Sequence, residues 1–99
     1  MADLPADVVK YLELKAQNAG RDRAHSIAEK FGALNLVEQL KTKREELRRW
    51  LRVEVGAPAL EVGADRKVVA HLTNLAWRAF ADEATFIAAN GAEPTSRPN

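Results

Sequence analysis

Apolar residues recur along this chain at intervals of three and four, the spacing that gathers them on one side of an α-helix. The plainest case runs from Asn35 to Val53. There Leu36, Leu40, Leu47 and Leu51 form one stripe with Trp50 beside it, and Glu38, Lys41, Thr42, Glu45, Arg48, Arg49 and Arg52 lie opposite. Nothing alternates at period two for long enough to specify a strand. Leu51 to Val55 comes nearest, and it continues the preceding helix as readily. The expected fold is all-α, a small bundle of about four helices near residues 5–19, 22–31, 35–54 and 65–89.

The first helix is expected to begin at Pro5, whose fixed φ and missing N–H suit a first turn. It runs to Ala19 with Val8, Leu12, Ala16 and Ala19 facing inward, and Gly20 is read as the left-handed residue that ends it. Asp22 then caps a second helix in which Ala24, Ile27, Ala28 and Phe31 share a face. A break at Gly32 follows from geometry. At about 100° per residue, the side carrying Ile27, Phe31 and Leu34 comes out opposite Leu36, Leu40 and Leu47, so one straight helix cannot bury both. Asn35 and Glu38 have the spacing of an N-cap and its capping glutamate. In GAPALEVGA, Pro58 and two glycines mark a connection with at most a helical turn near 59–62. Asp65 caps the last helix, and Asn90-Gly91 stops it.

That last helix is apolar over a wide arc. Val68, Val69, Leu72, Leu75, Ala76, Ala79, Phe80, Phe86 and Ile87 make its centre, and Ala70, Trp77, Ala81, Ala84 and Ala88 carry it around the back. Either it is the central helix of its own bundle, or part of its surface is buried against a second copy. Trp77, Ala81, Ala84, Ala88 and Glu83 are the residues for self-association in the second case. Glu83 falls inside the arc, between Phe80 and Ile87, where a lone charge is costly unless paired. An arginine from the long helix or a partner chain would supply the pairing.

Composition narrows the function classes. Ninety-nine residues make one domain, expected at 1–91, followed by a disordered tail at 92–99 in which AEPTSRPN offers no apolar anchor. With no cysteine, thiol catalysis, disulfides and thiolate metal sites are excluded, which fits a cytoplasmic chain. The first residues carry acids where a secretory signal carries bases, and no stretch approaches the ~20 apolar residues of a membrane span. Ser26 beside His25 diverges from it on a helix, and no glycine-rich phosphate loop is present, so no enzyme and no cofactor is expected. His25 stands between Asp22 and Glu29 at helical spacings, but the single Asp-x-x-His falls short of a di-iron ligand set and no metal is expected.

The formal net charge of +1 hides a strong asymmetry. Between residues 41 and 52 lie six bases, Lys41, Lys43, Arg44, Arg48, Arg49 and Arg52, against Glu45 and Glu46. That is +4 locally, and it leaves −3 for the rest of the chain. Such a face suits phosphates or an acidic partner. It also suits a solvated helix in which Lys41 with Glu45, and Glu45 with Arg48 or Arg49, support one another at about 0.2–0.5 kcal/mol per pair.

Ile27-Ala28-Glu29-Lys30-Phe31-Gly32 followed by a helix from Asn35 resembles the helix-turn-helix of DNA-binding proteins over about twenty residues. The resemblance implies that Asn35, Glu38, Gln39, Lys41 and Thr42 meet base edges while Arg44, Arg48 and Arg49 hold phosphates. Glu38 stands where that motif usually carries a branched apolar residue. The sequence therefore favours a non-enzymatic helical interaction or adaptor protein that self-associates through its last helix. Its partner face would comprise Gln39, Lys41, Thr42, Arg44, Arg48, Arg49 and Arg52. The alternative is a DNA-binding regulator using residues 22–52.

Overall fold

A computed structural model describes residues 4–90. It contains four helices: α1 (Ala6–Phe31), α2 (Ala33–Thr42), α3 (Arg44–Glu61) and α4 (Arg66–Ala89). The all-α bundle read from the sequence is present, with its joints moved. The tail expected at 92–99 lies outside the described residues.

α1 does not end at Gly20, and Asp22 is an exposed mid-helix residue rather than a cap. The reason is packing. Leu12, Ala16, Gly20, Ala24 and Ala28 recur every four residues, and all are buried. A Cβ at Gly20 would lie 2.1 Å from the carbonyl oxygen of Ala76 on α4. Gly20 is there to admit a neighbouring backbone, so its lack of a side chain serves close approach instead of a turn.

The break at Gly32 is where it was expected. Its φ of 89° is a left-handed value that favours glycine, and its N–H donates to Ala28 O at 2.8 Å. The long helix beyond it is split by Lys43, whose φ of −118° and ψ of 31° leave the helical region. Charge order matches the division: Lys41 stands in the last turn of α2, and Glu45 and Glu46 stand in the first turn of α3, each at its favourable end of a helix dipole.

GAPALEVGA is not a connection. α3 continues through Gly56 and Pro58 to Glu61, because Val55, Gly56 and Ala59 are buried. It ends in a Schellman arrangement: Ala64 N–H donates to Ala59 O at 3.0 Å, Gly63 N–H donates to Leu60 O at 3.1 Å, and Gly63 has φ of 92°. Asp65 caps α4 as expected, its Oδ1 accepting from Val68 N–H at 3.0 Å.

α4 is the central helix and packs against all three others, most extensively α1. The two run parallel. Glu13 meets His71, Gly20 lies against Ala76 and Phe80, and His25 meets Glu83, so both side-chain pairs span 58 residues of sequence. α3 runs antiparallel to α4, with Arg48 meeting Asn74 and Gly56 lying against Val69. α2 and α3 are thus the return path between two parallel helices. Phe80, Leu36, Leu51 and Leu72 are the largest fully buried side chains. Phe31, expected to face inward, is 60% exposed at the corner before α2.

Candidate functional site

The basic residues read from the sequence separate into two groups. Gln39, Lys41 and Thr42 belong to α2, while Arg44, Arg48, Arg49 and Arg52 belong to α3. On α2, Gln39 is half-buried and its amide donates to Asn35 Oδ1 at 2.7 Å, while Thr42 Oγ1 donates back to Glu38 O at 2.8 Å. Lys41, the third of this group, is exposed.

The four arginines of α3 line a continuous groove between α3 and α4. Its larger part has a volume of about 970 Å³, bordered by Arg48, Arg49, Arg52 and Arg66 over a floor of Val53, Gly56, Ala57, Leu60, Val69 and Ala70. A smaller part of about 330 Å³ extends it toward the start of α3, where Arg44 and Glu45 join Arg48, Arg49 and Arg52. Antiparallel packing creates this arrangement by bringing the first turn of α4, with Arg66, beside the last turns of α3.

The arginines at one end are held in place. Arg48 Nη2 donates to Asn74 Oδ1 at 3.0 Å. The guanidinium carbons of Arg44 and Arg48 both lie 5.8 Å from the ring centroid of Trp77, which stacks on Phe80 at 5.6 Å. This contact combines cation–π attraction with a fixed direction for both heads.

Among the described residues, no lysine or arginine stands within ion-pair distance of a carboxylate; the two close base–carboxylate contacts are both with histidine. The Lys41–Glu45 and Glu45–Arg48/Arg49 support expected of a solvated helix is not formed. For Lys41 the cause is the joint at Lys43, which puts it on a different helix from Glu45.

Apolar surface accompanies this charge. Val53 is 67% exposed and Leu60 is 59% exposed, both at the groove. Sequence reasoning missed this half of the site. Val53, Ala57 and Leu60 have i, i+4, i+7 spacing, a signal that places them on one face only because α3 continues through Pro58.

Other expected site residues have partners within the chain. Glu83 is buried and meets His25 Nε2 at 2.6 Å, not an arginine of the long helix. His71 meets Glu13 at 2.8 Å across the same pair of helices. Ala84 is fully buried and Ala81 half-buried, so α1 and the other helices cover much of the arc assigned to self-association; Ala88 is exposed and Trp77 is half-buried beneath the arginines. Trp50 lies under the Arg23 guanidinium at 4.3 Å.

The link from α1 to α2 is the single residue Gly32, against the three- or four-residue turn of a helix-turn-helix. The joint at Lys43 further separates the residues expected at base edges from those expected on phosphates. Among the described residues no cluster of three or more His, Asp or Glu side chains is placed to hold a metal ion. Among the described residues no helix is long and apolar enough to cross a membrane. Protein-family models, curated proteins and solved structures yield no match to the chain.

Proposed function

We propose that this chain is a non-enzymatic interaction module of the cytoplasm that docks an anionic macromolecular partner in the α3–α4 groove. The observation that carries this reading is the convergence of Arg48, Arg49, Arg52 and Arg66 around one apolar floor, with no carboxylate in ion-pair range among the described residues. Guanidinium groups recognise carboxylates and phosphates through paired N–H donors, and they desolvate at lower cost than ammonium groups.

Magnitudes favour a partner that uses both parts of the groove. An exposed arginine–carboxylate pair contributes about 0.2–1 kcal/mol and weakens with salt. Burying a valine or leucine side chain contributes about 1.5–3 kcal/mol when it starts fully exposed, and Val53 and Leu60 start more than half exposed. Charge alone therefore gives register and encounter rate, while the floor contributes at least as much affinity.

The test is a nitrogen-15 NMR titration with poly-L-glutamate. Shifts concentrated at residues 44–60 and at the facing residues 66–74 support the reading. Shifts spread evenly over Lys10, Lys15, Lys30 and Arg78 as well, or none at all, reject it.

A further inference from the structure

We infer that the occupant of this groove is an acidic amphipathic helix belonging to another protein. This names the ligand of the docking surface proposed above and rests on that reading.

The dimensions of the groove set the first constraint. Its lining on α3 extends from Arg44 to Leu60. Sixteen residues at 1.5 Å each span about 24 Å, the length of a helix of four to five turns. The second constraint is the order of side chains across the groove. Val53, Ala57 and Leu60 supply a strip of apolar surface along α3, and Val69 and Ala70 continue it on α4. Arg49 and Arg52 stand on the α3 side and Arg66 on the α4 side. A helix lying along the floor would therefore put one apolar stripe down and carboxylates to both sides, the helix-in-groove mode of recognition.

Chemistry excludes the competing occupants. The outer surface of a nucleic acid offers phosphates to the arginines and leaves Val53 and Leu60 facing charge. A second copy docked groove to groove would place arginines against arginines. The N-terminal half of α1 interleaves Lys10 and Lys15 with Asp7 and Glu13 and offers no acidic complement.

Four fluorescent probes test this against the full chain by anisotropy at 0.1 M salt. They are an 18-residue helical peptide with leucines at i, i+3, i+4 and i+7 flanked by glutamates, a scramble of the same composition, the same peptide with lysine for glutamate, and a 16-base-pair DNA duplex. The acidic amphipathic peptide is expected to bind at least tenfold tighter than each of the others, and Leu60→Ser is expected to weaken it at least fivefold. Circular dichroism confirms that the exposed substitution leaves the fold intact. Equal binding of peptide and scramble overturns the helix while leaving an anionic partner in place. Tighter binding of the duplex overturns the helix in favour of nucleic acid. Failure of every acidic probe overturns both the helix and the docking reading beneath it.

Discussion

His25 of α1 and Glu83 of α4 meet at 2.6 Å, with the carboxylate buried in the bundle and the imidazole half-buried beside it. The contact joins Glu83 Oε2 to His25 Nε2, and an ionised carboxylate there accepts from an Nε2–H. The same two helices carry the reciprocal pair, Glu13 with His71, in a more exposed setting at 2.8 Å. A charged-group hydrogen bond away from water contributes about 1.5–3 kcal/mol, and an exposed pair less than about 1 kcal/mol. Urea denaturation should therefore find Glu83→Ala destabilised by about 2–3 kcal/mol and Glu13→Ala by under 1 kcal/mol. Equal effects would mean that burial does not distinguish the two pairs.

Gly20 and Gly32 make an opposite contrast. Alanine at Gly20 improves helix propensity by about 1 kcal/mol, yet its Cβ would stand 2.1 Å from Ala76 O and 2.9 Å from Phe80 N, both backbone atoms. The two parallel helices must separate, and the net loss is expected at about 2 kcal/mol or more, a fall of roughly 10 °C in melting temperature. Gly32→Ala meets open space and bears only the strain of a positive φ with extended ψ, a cost of about 1–3 kcal/mol. A thermal melt in which Gly20→Ala is the milder change would contradict the close α1–α4 packing.

These two glycines also show what was legible from the residues. At Gly32 the apolar stripe changes sides, a local signal, and the break is found there. At Gly20 the expected stop is absent: the stripe of Leu12, Ala16, Ala24 and Ala28 keeps its spacing of four straight through the glycine, a continuity that the reading of Gly20 as a helix end passed over. Glu83 was identifiable as a charge in need of a partner, but the partner came from a helix 58 residues away. No pattern within one helix reveals a parallel packing register. The arginines of α3 were legible as a charged face, and Arg66 and Val69 were not, because only the antiparallel return of α4 brings them alongside.

Pro58 shows the same limit from the other direction. It sits within α3, three residues before its end, and lacks the N–H that would donate to Glu54 C=O. Burial of Val55, Gly56 and Ala59 holds the helix together regardless. Pro58→Ala restores that hydrogen bond and is expected to stabilise the chain by about 1–3 kcal/mol in urea. A destabilised variant would show that packing of the proline ring outweighs the missing hydrogen bond.

The most direct measurement of the groove's role compares two charge-reversed variants that differ only in where the charge is removed. Arg49→Glu with Arg52→Glu alters the groove, and Lys10→Glu with Lys15→Glu makes the same change in net charge on α1. Affinity for the acidic amphipathic peptide should fall at least tenfold in the first variant and less than threefold in the second, both remaining folded by circular dichroism. Equal losses in the two would mean that the chain attracts acids by overall charge, and that the α3–α4 groove is not a binding site.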